Sequence, residues 1–244
     1  NIALNGTSTI TNGITNNSNI GSLNLQNDTT YSGTGSITNA LDIAGSKTLN
    51  ASTNGINILF ANGATGTINN AGIIDGSLNN QNGSTIKTFN TGSISGSIAN
   101  SGSIQTLNVN DTIAGITNRQ TIDSLEVDSS ITNGITNDST ITTLTNNQAN
   151  TNITNNQNIG TLDINANTTY AGAGSITNAL DIDGAQTQFT INNGASNTLT
   201  FAENANTANS VKTITNEGTI IGNLTNTLTT YWTLGELHAN FTNN

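Results

Sequence analysis

The chain has 244 residues, no Pro, Cys or Met, only 7% charged and 4% aromatic residues, and a formal net charge of −10. Its four basic residues, Lys47, Lys87, Arg119 and Lys212, are too few and too scattered to track a phosphate backbone, which argues against nucleic acid as a partner. No run approaches the ~20 apolar residues of a membrane helix, so no membrane insertion of this segment is expected, and the scarcity of charge and lack of Pro argue against disorder.

The first patterned stretch is Ile14–Thr48, ITNNSNIGSLNLQNDTTYSGTGSITNALDIAGSKT. It returns without a gap at Ile153–Thr187 as ITNNQNIGTLDINANTTYAGAGSITNALDIDGAQT, identical at 23 of 35 positions. After a small insertion, INNAGIIDGSLNN from Ile68 parallels ITNEGTIIGNLTN from Ile214, so residues 14–80 and 153–226 read as a duplicated block. Between the copies a shorter period rules. Ile98, Ile116, Ile135 and Ile153 form one apolar column; Ile104, Ile122, Ile141 and Ile159 form a second; Leu107, Leu125, Leu144 and Leu162 form a third. The steps in each are 18, 19 and 18. Val109, Val127 and Ile164 make a fourth, interrupted at Asn146. The last stretch, residues 227–244, carries the only Trp and the only His and is expected to be a partial cap or a further turn of the same repeat.

A fixed period of this length marks a repeat architecture. Leu125-Glu126-Val127 and Leu162-Asp163-Ile164 alternate apolar and polar, as a strand with one buried face requires, and the Asn and Gly between such runs suit turns. Stacking equivalent strands in parallel predicts an all-β fold, a single-stranded parallel β-helix over residues 1–244 with about 13 rungs of roughly 18 residues. A left-handed coil would keep an apolar residue every six positions; Leu125, Val127 and Ile131 break that rule, so the expected hand is right. Inward side chains must keep their columns, because a one-residue slip turns them to solvent, whereas outward ones are free to drift. Asn118, Asn137 and Asn155 recur at matching turns, where they either ladder along the axis or simply suit the turn.

Little catalytic chemistry is on offer. His238 is the only His, without a partner pattern, and no phosphate-binding Gly loop is present. Glu126 is expected to stack between Asn108 and Thr145, with no second acid. Asp163 stacks on Asp181, and the pair can be imagined sharing Ca²⁺ with Asp183. Tolerated surface repulsion is the simpler reading, since the duplicate copy has Asn24 above Asp42. No catalytic residue, metal or cofactor is therefore assigned. Thr columns at Thr117, Thr136 and Thr154 raise an ice-binding surface, which the wandering rung length disfavours. Tyr31 and Tyr170, equivalent by duplication, fall where a core column is expected.

The phrases TINNAGIIDGSLNN and GSISGSIANSGSIQTL resemble the I-x-N-x-G-x-I-x-G repeats of autotransporter passenger domains, the surface-exposed parts of type V secretion proteins, including adhesin-like and vacuolating-toxin-like members. The resemblance implies a right-handed β-helix, export through an outer membrane, and roles in adhesion or aggregation. The expectation is thus a non-enzymatic extracellular protein at a bacterial cell surface, mature or excised from something longer. Its partners would be proteins or glycans on a cell surface or further copies of itself. A self-assembling filament or surface-layer subunit, and a polysaccharide-active β-helix enzyme, are the alternatives.

Overall fold

The computed structural model describes residues 13–51, 54–60, 64–184, 187–192 and 219–221 in full. It also gives the strand backbone at 2–4, 199–201, 212–216, 222–226, 230–233 and 236–243. Among the described residues there is no helix; the chain is an all-β parallel β-solenoid of about 10 turns of ~18 residues. Its contacts divide it into two units, Asn1–Ile122 and Asp123–Asn244.

In the first unit every described strand pairing is parallel. Leu23 pairs with Leu41, Leu41 with Ile68, Ile68 with Phe89 and Phe89 with Leu107, giving one continuous apolar column. A second runs Ile56, Leu78, Ile98, Ile116. In the second unit, Leu144, Leu162, Leu180 and Ile214 stack in register, as do Ile141, Ile159 and Ile176, and Ile135, Ile153, Tyr170 and Ile191. All twelve residues of the three predicted apolar columns are buried, the most exposed being Ile116 at 2%. Such burial, worth roughly 1.5–3 kcal/mol per aliphatic side chain, is what the polar outer faces cannot supply.

The turns are fewer than the thirteen expected, because the period is not kept. Leu144 to Leu162 spans one short turn, but Leu41 reaches its partner Ile68 only 27 residues later, and Leu180 to Ile214 is longer still. Insertions at the corners lengthen a turn without adding a rung, since the strands on either side resume the same columns. The segment expected as a partial cap continues the coil at its strands: Glu236–Asn243 pairs in parallel along its whole length with Thr219–Asn226. The side chains of that segment, His238 among them, lie outside the described residues.

Candidate binding faces and the buried polar columns

Asn118, Asn137 and Asn155 are buried completely. Each follows an inward Ile by two residues, so strand alternation turns its side chain to the interior. In the first unit Asn80 Nδ2 donates to Asn100 Oδ1 at 2.7 Å, and Asn100 Nδ2 to Asn118 Oδ1 at 2.8 Å. In the second, Asn137 Nδ2 donates to Asn155 Oδ1 at 2.8 Å, and Asn155 Nδ2 to the Tyr170 hydroxyl at 2.8 Å. The amide oxygens also accept from the chain two residues on, Gln120 N at Asn118 and Ser139 N at Asn137, which is the Asx-turn arrangement. One side chain thereby closes its own corner and ties it to the next turn. In the first unit Asn16 and Tyr31 form a separate pair, the Asn16 amide donating to the tyrosine hydroxyl. The signal that marks the asparagines is the pattern Ile/Leu-x-Asn, as in Leu78-Asn79-Asn80 and Ile98-Ala99-Asn100.

The first unit's ladder begins abruptly. Asn80 pairs with Ile58 on the preceding turn, which offers no donor, and Asn80 Oδ1 is buried without a partner. Asn146 interrupts the Val column because it too is satisfied inside, donating to Thr168 Oγ1 at 2.7 Å and Gln148 O at 3.0 Å. Burial raises the phenol pKa of Tyr170 and of Tyr31, opposed in each by the hydrogen bond from an Asn amide.

Asp163 and Asp181 are register partners on adjacent strands. Burial pushes the Asp163 carboxyl above its ordinary value, and the neighbouring Asp183 charge adds to this; hydrogen bonds with Thr145 and Asn165 oppose it. Turned to donate, the Asn165 amide nitrogen lies 3.2 Å from Asp163 Oδ1 and 3.1 Å from Asp183 Oδ2. The opposite orientation would donate to Asn147 Oδ1 at 2.7 Å but aim its oxygen at two carboxylates, which electrostatics disfavours. Among the described residues no three acidic or histidine side chains are grouped to hold a metal ion; Asp163 and Asp183 share the Asn165 amide, and Asp181 is the register partner of Asp163.

The outward positions carry columns of their own. Thr67, Thr88 and Thr106 are successive register partners, and Asn69, Asn90 and Asn108 form the parallel column two residues on. Asn108 Nδ2 donates to Asn90 Oδ1 at 2.8 Å. In the second unit Thr143 pairs with Thr161 and Thr136 with Thr154. A groove of about 600 Å³ in the first unit is lined by Asn57, Asn79, Gln81, Asn82, Ser101 and Arg119, among others, with no acid in its wall. No family model, curated protein or solved structure matches the chain.

Proposed function

We propose that the chain is a non-enzymatic β-helical passenger of an extracellular bacterial surface protein, acting in adhesion or self-association. The observation that carries this reading is the outward Thr and Asn columns, such as Thr67–Thr88–Thr106 and Asn69–Asn90–Asn108, which present one hydroxyl and one amide per turn at a spacing of about 4.8 Å. Each group binds weakly, but identical groups on a stiff lattice engage a repetitive partner together, and avidity grows with the number engaged. Glycans, surface proteins and other copies of the chain all offer such repeated hydrogen-bonding groups. The resemblance of TINNAGIIDGSLNN to passenger repeats agrees with this class, as does the absence of Cys, which lets a chain thread outward unfolded.

The test is display of the chain on a non-adherent bacterial cell. The expected result is settling of the cells or retention on host-cell or glycan-coated surfaces, reduced by Thr88→Lys together with Thr106→Lys, which place charges in the outward column and leave the core untouched. Displayed cells that neither clump nor adhere, or polysaccharide turnover abolished by Asp163→Asn, would sink the reading. Filaments that lengthen with protein concentration while cells remain dispersed would favour the surface-layer alternative.

A further inference from the structure

Three Asn-Gly pairs have both residues described: Asn54-Gly55, Asn82-Gly83 and Asn133-Gly134. Gly has no side chain to shield its amide nitrogen, so that nitrogen can attack the preceding Asn side chain. The folded chain decides which pair is free to react. At Asn54-Gly55 the Gly55 N–H is held by Ala51 O at 2.8 Å, and at Asn133-Gly134 the Gly134 N–H is held by Ile131 O at 3.1 Å. Asn82-Gly83 differs. Ser84 N bonds Gln81 O at 3.1 Å, closing a turn with Asn82 and Gly83 at its centre, and Gly83 has φ +81°. This is the pattern of a type II turn, in which the N–H between the two central residues points away from the closing bond. The Asn82 side chain is exposed and makes no hydrogen bond among the described residues, and the space around Gly83 is open, with nothing within 4 Å of where a Cβ would stand.

We infer that Asn82 is a site of spontaneous covalent modification, converting through a succinimide to aspartate and isoaspartate while the fold is intact. Base removes the Gly83 amide proton, and the nitrogen attacks Asn82 Cγ. The new N–Cγ bond closes the imide, and the side-chain nitrogen leaves as ammonia. Water then opens the ring. Attack at Cγ gives aspartate. Attack at the main-chain carbonyl breaks its bond to Gly83 N and gives isoaspartate, with the main chain rerouted through the former side chain. The net change is one water consumed, one ammonia released and one carboxylate gained.

The product stands in a consequential place. Asn82 lines the same groove as Arg119, so a neutral amide becomes an anion in a wall that holds one cation and no acid. The turn also joins two buried positions, Asn80 at the start of the amide ladder and Ser84, whose hydroxyl accepts from Phe60 N at 2.9 Å. Isoaspartate adds a main-chain methylene between them.

The test holds the folded protein at mildly alkaline pH and samples it over days. Isoaspartate at each Asn is then quantified by peptide mapping with isoaspartyl-methyltransferase labelling. The expected result is conversion at Asn82 several-fold faster than at Asn54 or Asn133, with the three rates converging in denaturant. Equal rates in the folded chain, slower conversion at Asn82 than at either other pair, or no conversion there at all would overturn the inference.

Discussion

Residues 14–48 and 153–187 share 23 of 35 positions, and their interiors keep the same central bonds. Asn16 Nδ2 donates to the Tyr31 hydroxyl at 2.8 Å, and Asn155 Nδ2 to the Tyr170 hydroxyl at the same distance. Gly35 N reaches Asn16 O, and Gly174 N reaches Asn155 O, both at 2.8 Å. Even the irregularity is shared: the register slips between Ile20 and Ser22 in one copy and between Ile159 and Thr161 in the other. Gly33 and Gly172, at φ +102° and +98°, pass so close to the Asn16 and Asn155 carbonyls that a Cβ would collide with them, which holds glycine at both places.

The outside has drifted. Asn24, Gln26 and Ala44 in the first copy stand where Asp163, Asn165 and Asp183 stand in the second. Gln26 Nε2 donates to Asn24 Oδ1 at 3.0 Å; the second copy holds two carboxylates about one amide instead. Interior polar groups have no solvent to fall back on, so a change at one demands a change at its partner. Exterior groups exchange a lost partner for water, and the duplicated strands have used that freedom.

The largest expected effect comes from breaking what the copies share. Asn155→Leu keeps the branched shape but not the polarity; it leaves the Tyr170 hydroxyl with only a long contact to Gly174 O at 3.4 Å and removes one of the acceptors of Asn137. A loss of about 2–4 kcal/mol is expected, in the range for orphaned buried polar groups. Asn16→Leu should be similarly harmful in the first copy. Urea unfolding midpoints measure both, and hydrogen exchange at Thr151–Asn155 and Thr168–Ala171 shows whether the damage stays with neighbouring turns, as nearest-neighbour stacking requires. A loss in one copy and none in the other would break the equivalence.

Tyr170→Phe and Tyr31→Phe sharpen the same comparison at a smaller scale. Each deletes only the hydroxyl and leaves the Asn amide a weaker backbone acceptor, Ser175 O at 3.4 Å or Ser36 O at 3.3 Å, so about 1–2 kcal/mol is expected. Burial raises the folded pKa of both phenols, so the stability they carry is full below the unfolded tyrosine value near ~10 and declines as pH rises past it. An alkaline absorbance titration should show these two tyrosines ionising only as the chain unfolds.

The three apolar columns were legible because burial leaves a strict imprint: Ile98, Ile104 and Leu107 and their repeats must face inward wherever the coil passes. The number of turns was not, because corner insertions such as the one between Leu41 and Ile68 lengthen the sequence period without adding a layer. Asn118, Asn137 and Asn155 stood out at matching positions, as a ladder along the axis or as plain turn residues, and neither reading placed them inside. Parity counted from Ile116, Ile135 and Ile153 decides for the interior. Tyr170 was legible as a core residue, and it is buried; its bond to Asn155 was not, because a hydroxyl fifteen residues from its amide leaves no local pattern. The relation of Asp163 to Asp183 and Asn165 depends on how two neighbouring turns overlap, which composition and spacing do not encode.

The smallest expected effect tests what the copies do not share. Asp163→Asn restores the residue of the first copy at that position, and Asp183→Ala does the same one turn on. The folded pKa of Asp163 is raised, so the unfolded chain gives up this proton first; the associated stability is full below the unfolded carboxylate value and lost as pH rises through the folded one. At neutral pH the ionised pair therefore works against the fold. Asp163→Asn is expected to raise neutral-pH stability, but by less than ~1 kcal/mol, because the site is partly open to water and the Asn165 amide already answers both carboxylates. The gain should shrink as pH falls through the raised folded value, where the wild-type carboxyl regains its proton, and Asp183→Ala should flatten the same slope by removing the neighbouring charge. Urea midpoints for the three proteins at neutral and at acidic pH measure this. A gain that persists at low pH would place the origin of the effect in side-chain packing, and the drift of the outer face would then need an explanation other than charge.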